Sequence, residues 1–131
     1  MTLPMKERAA PSTITGYHAH VYYDGPAARD HAGWMRERLQ ALFEVRMGRW
    51  RDFLVGPHPT PMYQVAFAPD QFERIVPWLA LNHGELSILI HPETGNDVAD
   101  HSDHALWIGK QMDLFLENLP GFEEEDVDQP A

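Results

Sequence analysis

Four of the eight histidines in this 131-residue chain lie in short segments that are typical of strands or tight turns. These are His18 and His20 in GYHAHVYYD, His58 in VGPHPTPM and His91 in LSILIHPETG. Imidazole is a common protein ligand for catalytic first-row metals. Because side chains two residues apart on a strand point to the same face, His18 and His20 are expected side by side. The pattern predicts a histidine-lined metal site.

The composition is that of one globular domain, with 44% hydrophobic and 23% charged residues. We expect a single domain over residues 16–119, a flexible N-terminus over 1–15 and an acidic, disordered tail over 120–131. The net charge of −10 argues against a nucleic-acid partner.

Targeting signals and cysteine chemistry are also excluded by the sequence. No apolar run approaches the roughly 20 residues that a membrane span needs, so no membrane partner is expected. The N-terminus lacks the apolar core of a secretion signal, which favours a cytoplasmic location. The absence of cysteine rules out disulfides and thiolate metal sites.

Apolar periodicity predicts four strands and two helices in the order β-α-β-β-α-β. A first helix is predicted from Pro26 through Leu42. A second is expected to open with a capping pattern at Asp70, to be kinked or shortened by Pro77 and to end near Gly84. The strands are predicted at 17–23, 44–53, 62–67 and 86–91, and a short terminal helix at 112–119.

This order predicts an α+β, ferredoxin-like sandwich. In that arrangement strands one and three are expected to be central and parallel, with strand four antiparallel beside strand one. The end of strand four at His91 then meets the start of strand one at His18 and His20. The turn that enters strand three, at His58, is expected at the same edge.

Alternation along the strands places the histidines opposite the apolar face. Ala19 and Val21 are expected under the helices, and His18, His20 and Tyr22 on the open sheet face. We expect that face to be completed by dimerisation or by a C-terminal cover, and therefore predict a homodimer or higher homo-oligomer.

Five segments together resemble the DOPA 4,5-dioxygenase family over about residues 16–116. They are HAHVYYD, VGPHP followed by MYQVAF, VPWLALNHG, LSILIHPETG and DHSDHALWIG. The resemblance implies a small bacterial extradiol dioxygenase that uses non-haem Fe(II) and O2. It implies a small catechol such as DOPA as the substrate and leaves the physiological catechol open.

The implied reaction leaves room for about three protein ligands, because the catechol and O2 occupy the other metal positions. His20 and His91 are the strongest ligand candidates. His18 is either a ligand or an acid/base group. His58, held between two prolines, is either the third ligand or a substrate-facing base.

A carboxylate ligand is the weak point of this assignment. Glu93 and Asp24 lie close to the histidines in sequence, yet neither is expected on the same strand face. We favour a turn role for Glu93, and the ligand set is either all histidine or includes one carboxylate from elsewhere in the chain.

Two further residues are candidates for contact with the substrate. His101, in the DHSDH segment, is expected either in a flap over the substrate or in a solvated turn that begins a helix. Tyr22 could donate a hydrogen bond to a catechol oxygen or pack at an interface. Trp107 could stack on an aromatic substrate, but a core position is commoner. His31 and His83 are predicted to be structural.

Two other function classes fit the same histidines. Zinc or another divalent metal also accepts three histidines with an open position, so a zinc-dependent hydrolase is one alternative. A non-catalytic dimer that binds an aromatic ligand or a metal is the other.

Overall fold

A computed structural model describes residues 5, 7 and 9–122, and it contains a five-stranded sheet with two long helices. The sheet order is β2-β3-β1-β4-β5, and all four ladders are antiparallel. The strands are β1 (Gly16–Tyr22), β2 (Arg46–Met47), β3 (Met62–Phe67), β4 (Ser87–Glu93) and β5 (Leu106–Ile108). The helices are α1 (Pro26–Leu42), α2 (Phe72–Asn82) and α3 (Asp97–Asp100), with 3-10 turns at Pro11–Thr13, Pro69–Gln71 and Leu116–Asn118.

The α+β, ferredoxin-like class is confirmed, but the predicted direction of the third strand was wrong. β1 and β3 run antiparallel, with Tyr17 opposite Phe67 and Tyr22 opposite Met62. The α1 crossover brings β2 back parallel to β1, and β3 then reverses direction to lie between them. His58 therefore precedes β3 near the end of β1, and its loop must fold back to reach the histidines.

Several predicted element bounds also differ from the structure. The second strand is confined to Arg46–Met47, followed by one isolated bridge between Arg51 and Met62. The terminal helix is reduced to the turn at Leu116–Asn118, which is too short to gain from helical cooperativity. Strand β5 and helix α3 were not predicted, since each has only three or four residues.

Helix α2 lacks the predicted capping hydrogen bond and is not ended by its proline. Asp70 lies in the preceding 3-10 turn, and no side-chain hydrogen bond caps either that turn or the helix. Pro77 lies inside the helix, which continues to Asn82, so the missing N–H removes a hydrogen bond without ending the helix.

The main core lies between the sheet and the two long helices, as the face assignment predicted. Alternate residues of β1 and β4 point into it and meet apolar stripes of α1 and α2. Its fully buried members include Ala19, Val21, Ile88, Ile90, Met35, Leu39, Ile75 and Leu79.

The opposite sheet face is covered by the chain itself. Tyr22, Met62 and Leu89 are buried there beneath a layer that includes Trp107 and Leu114. C-terminal residues therefore cover part of the sheet face that was predicted to be open. Trp107 is one of these covering residues. Among the residues described here, no helix is long and apolar enough to cross a membrane.

The predicted terminal segments are described only in part. In the N-terminal segment, the Thr15 N–H donates to the Glu93 carbonyl oxygen at 2.9 Å, which continues the ladder between β1 and β4. Residues 1–4, 6 and 8 and the acidic tail over 123–131 lie outside the described residues.

Candidate metal centre

Strand β1 brings the first part of the site together. His18, His20 and Tyr22 share one face because strand side chains alternate. His91 of β4 lies directly opposite His18 in the antiparallel register. The Nε2 atoms of His20 and His91 are 3.0 Å apart, and both side chains are buried.

The loop before β3 contributes His58. Two neighbouring prolines stiffen this loop, and the His58 N–H donates to the Val55 carbonyl oxygen at 3.1 Å. The His58 Nδ1 atom is 2.7 Å from the Tyr22 hydroxyl oxygen. The His58 ring centroid lies 4.3 Å from that of His20, so the loop returns this histidine to the centre of the cluster.

Helix α3 and the turn after it position His101. The His101 Nδ1–H donates to the Asp97 carbonyl oxygen at 2.7 Å, and the ring centroid lies 4.0 Å from that of His91. The half-buried His101 thus packs against His91, and its ring centroid lies 6.0 Å from that of His20 and 6.2 Å from that of His58.

Asp100 anchors the segment that carries His101. The Asp100 carboxylate is buried and accepts hydrogen bonds from the Thr94 N–H at 2.8 Å and the Thr94 hydroxyl at 2.7 Å. His104 Nδ1 lies 2.8 Å from the same carboxylate. Burial alone would raise the pKa of Asp100, but hydrogen bonds from Thr94 and His104 outweigh it and lower the pKa.

The five histidines form two triads that share His20. One is His18, His20 and His91, and the other is His20, His58 and His101. Within each triad the three candidate ligand atoms lie within 4.8 Å of one another. Every residue named in advance as a ligand, and His101 as well, therefore belongs to one connected cluster.

The hydrogen bonds around the cluster leave lone pairs for a metal. The Nδ1 atoms of His18 and His91 lie 3.0 Å from Glu93 Oε1 and the Pro92 carbonyl oxygen, respectively, so their Nε2 atoms carry the lone pairs that can bind a metal. His20 Nδ1 is buried and has no hydrogen-bond partner within the described part of the chain. An orphaned nitrogen among neutral donors fits a bound cation better than a packed core.

Burial keeps these imidazoles neutral. It lowers the pKa of His91 to about 3 and that of His58 to about 4, with His101 adding to both effects. Burial also lowers the pKa of His20 well below its usual value, and nearby histidines act in the same direction. Neutral imidazoles carry the lone pair that a metal ligand requires.

Glu93 lies beside the histidine cluster, whereas it was predicted to lie in a turn. Strand β4 continues past Pro92, and Glu93 therefore shares the face of His91. Its Oε1 atom is 3.0 Å from His18 Nδ1 and 3.4 Å from His91 Nδ1. The two-residue spacing from His91 is the signal that could have identified it. Carboxylates in this position orient metal-bound histidines from behind.

Other candidates lie outside both triads. His31 Nε2 is 2.9 Å from the Asn82 carbonyl oxygen, and His83 Nδ1 is 3.0 Å from that of Leu86. Asp24 belongs to neither triad. Trp107 stacks on Tyr22 with ring centroids 6.0 Å apart, so it packs beside the site.

Comparison with known sequences also points to a dioxygenase. The Dopa 4,5-dioxygenase family model matches residues 17–118. The chain is 31% identical over 122 residues to the DOPA 4,5-dioxygenase of Amanita muscaria, covering 83% of this chain and 51% of that protein. It is 35% identical over 112 residues to an uncharacterized 21.2 kDa protein of Botryotinia fuckeliana, covering 76% and 61%. It thus spans less than two thirds of the length of these curated relatives.

A solved structure agrees with these sequence matches. The crystal structure of a candidate dioxygenase from Nostoc punctiforme is similar with a TM-score of 0.82 and 53% sequence identity. The similarity covers 84% of this chain and 95% of the Nostoc chain. With the histidine cluster in place and the family model spanning most of the sequence, the chain belongs to the Dopa 4,5-dioxygenase family.

Proposed function

We propose that this protein is a non-haem Fe(II)-dependent extradiol dioxygenase that cleaves a small catechol such as DOPA with O2. Family membership supports the reaction class. The observation that carries the proposal is the cluster of five histidines, in which the Nδ1 atoms of His18 and His91 are tied to Glu93 and to the Pro92 carbonyl oxygen. Such a cluster gives an oxygen-activating metal three nitrogen ligands and open positions.

We assign His18, His20 and His91 as the metal ligands. The 3.0 Å separation between the Nε2 atoms of His20 and His91 supports this triad. The Glu93 carboxylate lies next to the Nδ1 atoms of His18 and His91. Fe(II) bound there supplies the one-electron chemistry with O2 that protein side chains lack. The side chains set the geometry of the site and its access.

His58 and Tyr22 are assigned to proton transfer at a catechol hydroxyl. Burial lowers the pKa of His58 to about 4, so this imidazole is neutral and can accept a proton. Burial raises the pKa of Tyr22, so its hydroxyl keeps its proton. When His58 Nδ1–H donates to the Tyr22 oxygen, Nε2 is the atom that faces the substrate as a base.

His101 is assigned to the substrate side of the cluster. It stands on the Asp100-anchored segment and is only half-buried, in contrast to His20 and His91. From this position its Nε2 can donate to, or accept from, a group on the bound catechol.

We also retain the predictions of a homo-oligomer and a cytoplasmic location. Phe53 and Leu54, in the loop before His58, are 64% and 58% exposed in the single chain. Exposed apolar side chains of this size support a subunit interface next to the site. Light scattering at several protein concentrations tests the oligomer, and a monomer at all concentrations would contradict it.

Anaerobic reconstitution tests the proposed reaction. The protein is loaded with Fe(II), mixed with DOPA or another small catechol, and then exposed to O2. We expect one O2 consumed per catechol and a yellow ring-opened semialdehyde. Protein loaded with zinc is the matched control, because zinc is redox-inactive. No O2 uptake across a catechol panel, with iron shown to be bound, would refute the proposal.

A further inference from the structure

Positive charge is concentrated on the segment beside β3. Three of the ten lysine and arginine residues of the chain, Arg46, Arg49 and Arg51, fall within six positions. The chain has a net charge of −10, so this segment is an exception to its general character. Local charge of this sign attracts an anion.

The strand register places this segment on the side of the histidine cluster. Arg46 lies opposite Ala66 and Arg51 opposite Met62, and both of these β3 residues share the face of the histidines. Gly48 lies between the two arginines, and its N–H donates to the Gln64 carbonyl oxygen at 2.8 Å. Gln64 is in turn opposite His20. Neighbouring strands are about 4.8 Å apart, so the segment runs about 10 Å from β1.

A cavity of about 400 Å³ lies between the arginines and the cluster. His20 and His58 line one part of it, and Arg49, Arg51 and Gln64 line another. A cavity of this size accommodates a small aromatic ligand. A ring placed at the histidines would therefore extend a substituent toward the arginines.

Gly48 shapes the same cavity. A Cβ atom at this position would lie 3.3 Å from the Cβ atom of Gln64, which is closer than most side-chain contacts. The absence of a side chain at Gly48 thus keeps this part of the cavity, between Arg46 and Arg51 in sequence, open.

No acidic residue is among those that line this cavity. Asp52, the acid next to Arg51 in sequence, is held by Arg29 at 2.9 and 3.1 Å and by the Tyr23 hydroxyl at 2.7 Å. Within residues 9–122, neither Arg49 nor Arg51 makes an ion pair with a carboxylate. Their charges are free to meet a ligand.

Arg46 differs from the other two arginines. It lines a separate cavity of about 560 Å³ together with Glu44 and Glu93. The carboxylates there offset its charge, and the only histidine among the lining residues is His18. We therefore leave Arg46 out of the assignment.

We propose that Arg49 and Arg51 form an anion subsite that selects catechols carrying a carboxylate on their side chain. This inference deepens the proposed dioxygenase function and depends on it for the identity of the ring. Guanidinium groups bind carboxylates through paired, charge-assisted hydrogen bonds, which gives orientation as well as affinity. Anchoring the carboxylate would hold the catechol ring against His20 and His58.

Paired substrates test the subsite. The ratio of kcat/KM for 3,4-dihydroxyphenylpropionate to that for its methyl ester is measured with iron-loaded protein. We expect the ratio to exceed about tenfold in the wild type, the scale of one charge-assisted hydrogen bond. In R49Q/R51Q we expect the ratio to fall to near one. R38Q removes a charge from the exposed face of α1 and should keep the wild-type ratio.

The outcomes separate this inference from the function on which it depends. Turnover of acid and ester at equal rates by the wild type, or an unchanged ratio in R49Q/R51Q, would refute the subsite and leave the dioxygenase intact. If neither substrate is turned over, the function fails. Calorimetric binding of 3-phenylpropionate, which has no catechol, then decides the subsite. We expect weaker binding to R49Q/R51Q than to R38Q. Equal binding to the two variants would refute the anion subsite.

Discussion

The Nε2 atoms of His20 and His91 face each other at 3.0 Å across strands β1 and β4, although the two residues are 71 positions apart in sequence. Two neutral imidazoles at this distance share one proton or hold a common ion. The His91 Nδ1–H is engaged by the Pro92 carbonyl oxygen, whereas His20 Nδ1 has no partner among the residues described. A shared ion would use both Nε2 lone pairs, and the proton of His20 would then lie on Nδ1.

Replacing His20 by alanine is expected to abolish metal binding, because both triads contain this residue. H18A should also lose most of its metal, whereas H58A should retain it under our assignment. Equilibrium dialysis followed by elemental analysis measures the bound iron, and H31A is the control outside the cluster. Retention of stoichiometric iron by H20A would refute the site. Loss in H58A together with retention in H18A would move the ligands to the second triad.

Replacing Glu93 by glutamine is expected to weaken metal binding by about 10- to 100-fold. The carboxylate lies behind His18 and His91, and a neutral amide accepts their Nδ1 protons less strongly. Competition with a chelator measures the affinity. E85Q, at an exposed position outside the site, is the matched control. Equal affinities for E93Q and E85Q would remove Glu93 from the site.

Replacing Tyr22 by phenylalanine is expected to lower turnover about tenfold at full iron occupancy, because His58 loses its 2.7 Å partner. Tyr63 is the matched control, since it is also buried and its hydroxyl donates to the Ala32 carbonyl oxygen at 2.7 Å. Each variant should lose about 1 kcal/mol of unfolding free energy in urea. If Y22F and Y63F have the same kcat, Tyr22 has a packing role alone.

Replacing Asp100 by asparagine is expected to lower the free energy of unfolding by about 1–3 kcal/mol. The buried carboxylate accepts from Thr94 through both of its oxygens and lies against His104, and an amide cannot accept on both sides. Urea denaturation measures the loss, and D103N is the exposed control in the same segment. A difference of less than 0.5 kcal/mol between the two variants, about the scale of an ordinary surface substitution, would show that this anchor is dispensable.

Local alternation made much of the site predictable from the sequence. The faces of β1 and β4 follow from a two-residue period, and the meeting of His18 with His91 follows from the predicted neighbourhood of the two strands. The direction of β3 does not follow from local pattern, because it depends on how the chain crosses over and returns. The predicted convergence of His58 was thus correct, but the parallel arrangement from which it was argued was wrong.

Glu93 shows a second limit of local rules. A proline was expected to end the fourth strand at His91, and this placed Glu93 in a turn. In the structure β4 continues through Pro92, beyond the residues that pair with β5, at a position where a strand tolerates proline. The hydrogen bonds that the Asp100 carboxylate accepts from Thr94 and His104 were equally unpredictable, since they depend on side-chain packing in a short loop.

The wide spacing of the site residues along the chain has a consequence for the order of biosynthesis. The first triad lacks its third member until His91 has been made, and the second until His101 has been made. A growing chain that ends before β4 carries isolated histidines and no complete coordination set. A metal that binds either triad would therefore enter after β4 has closed onto β1. Metal added to the finished, metal-free chain should therefore fill the site without new synthesis.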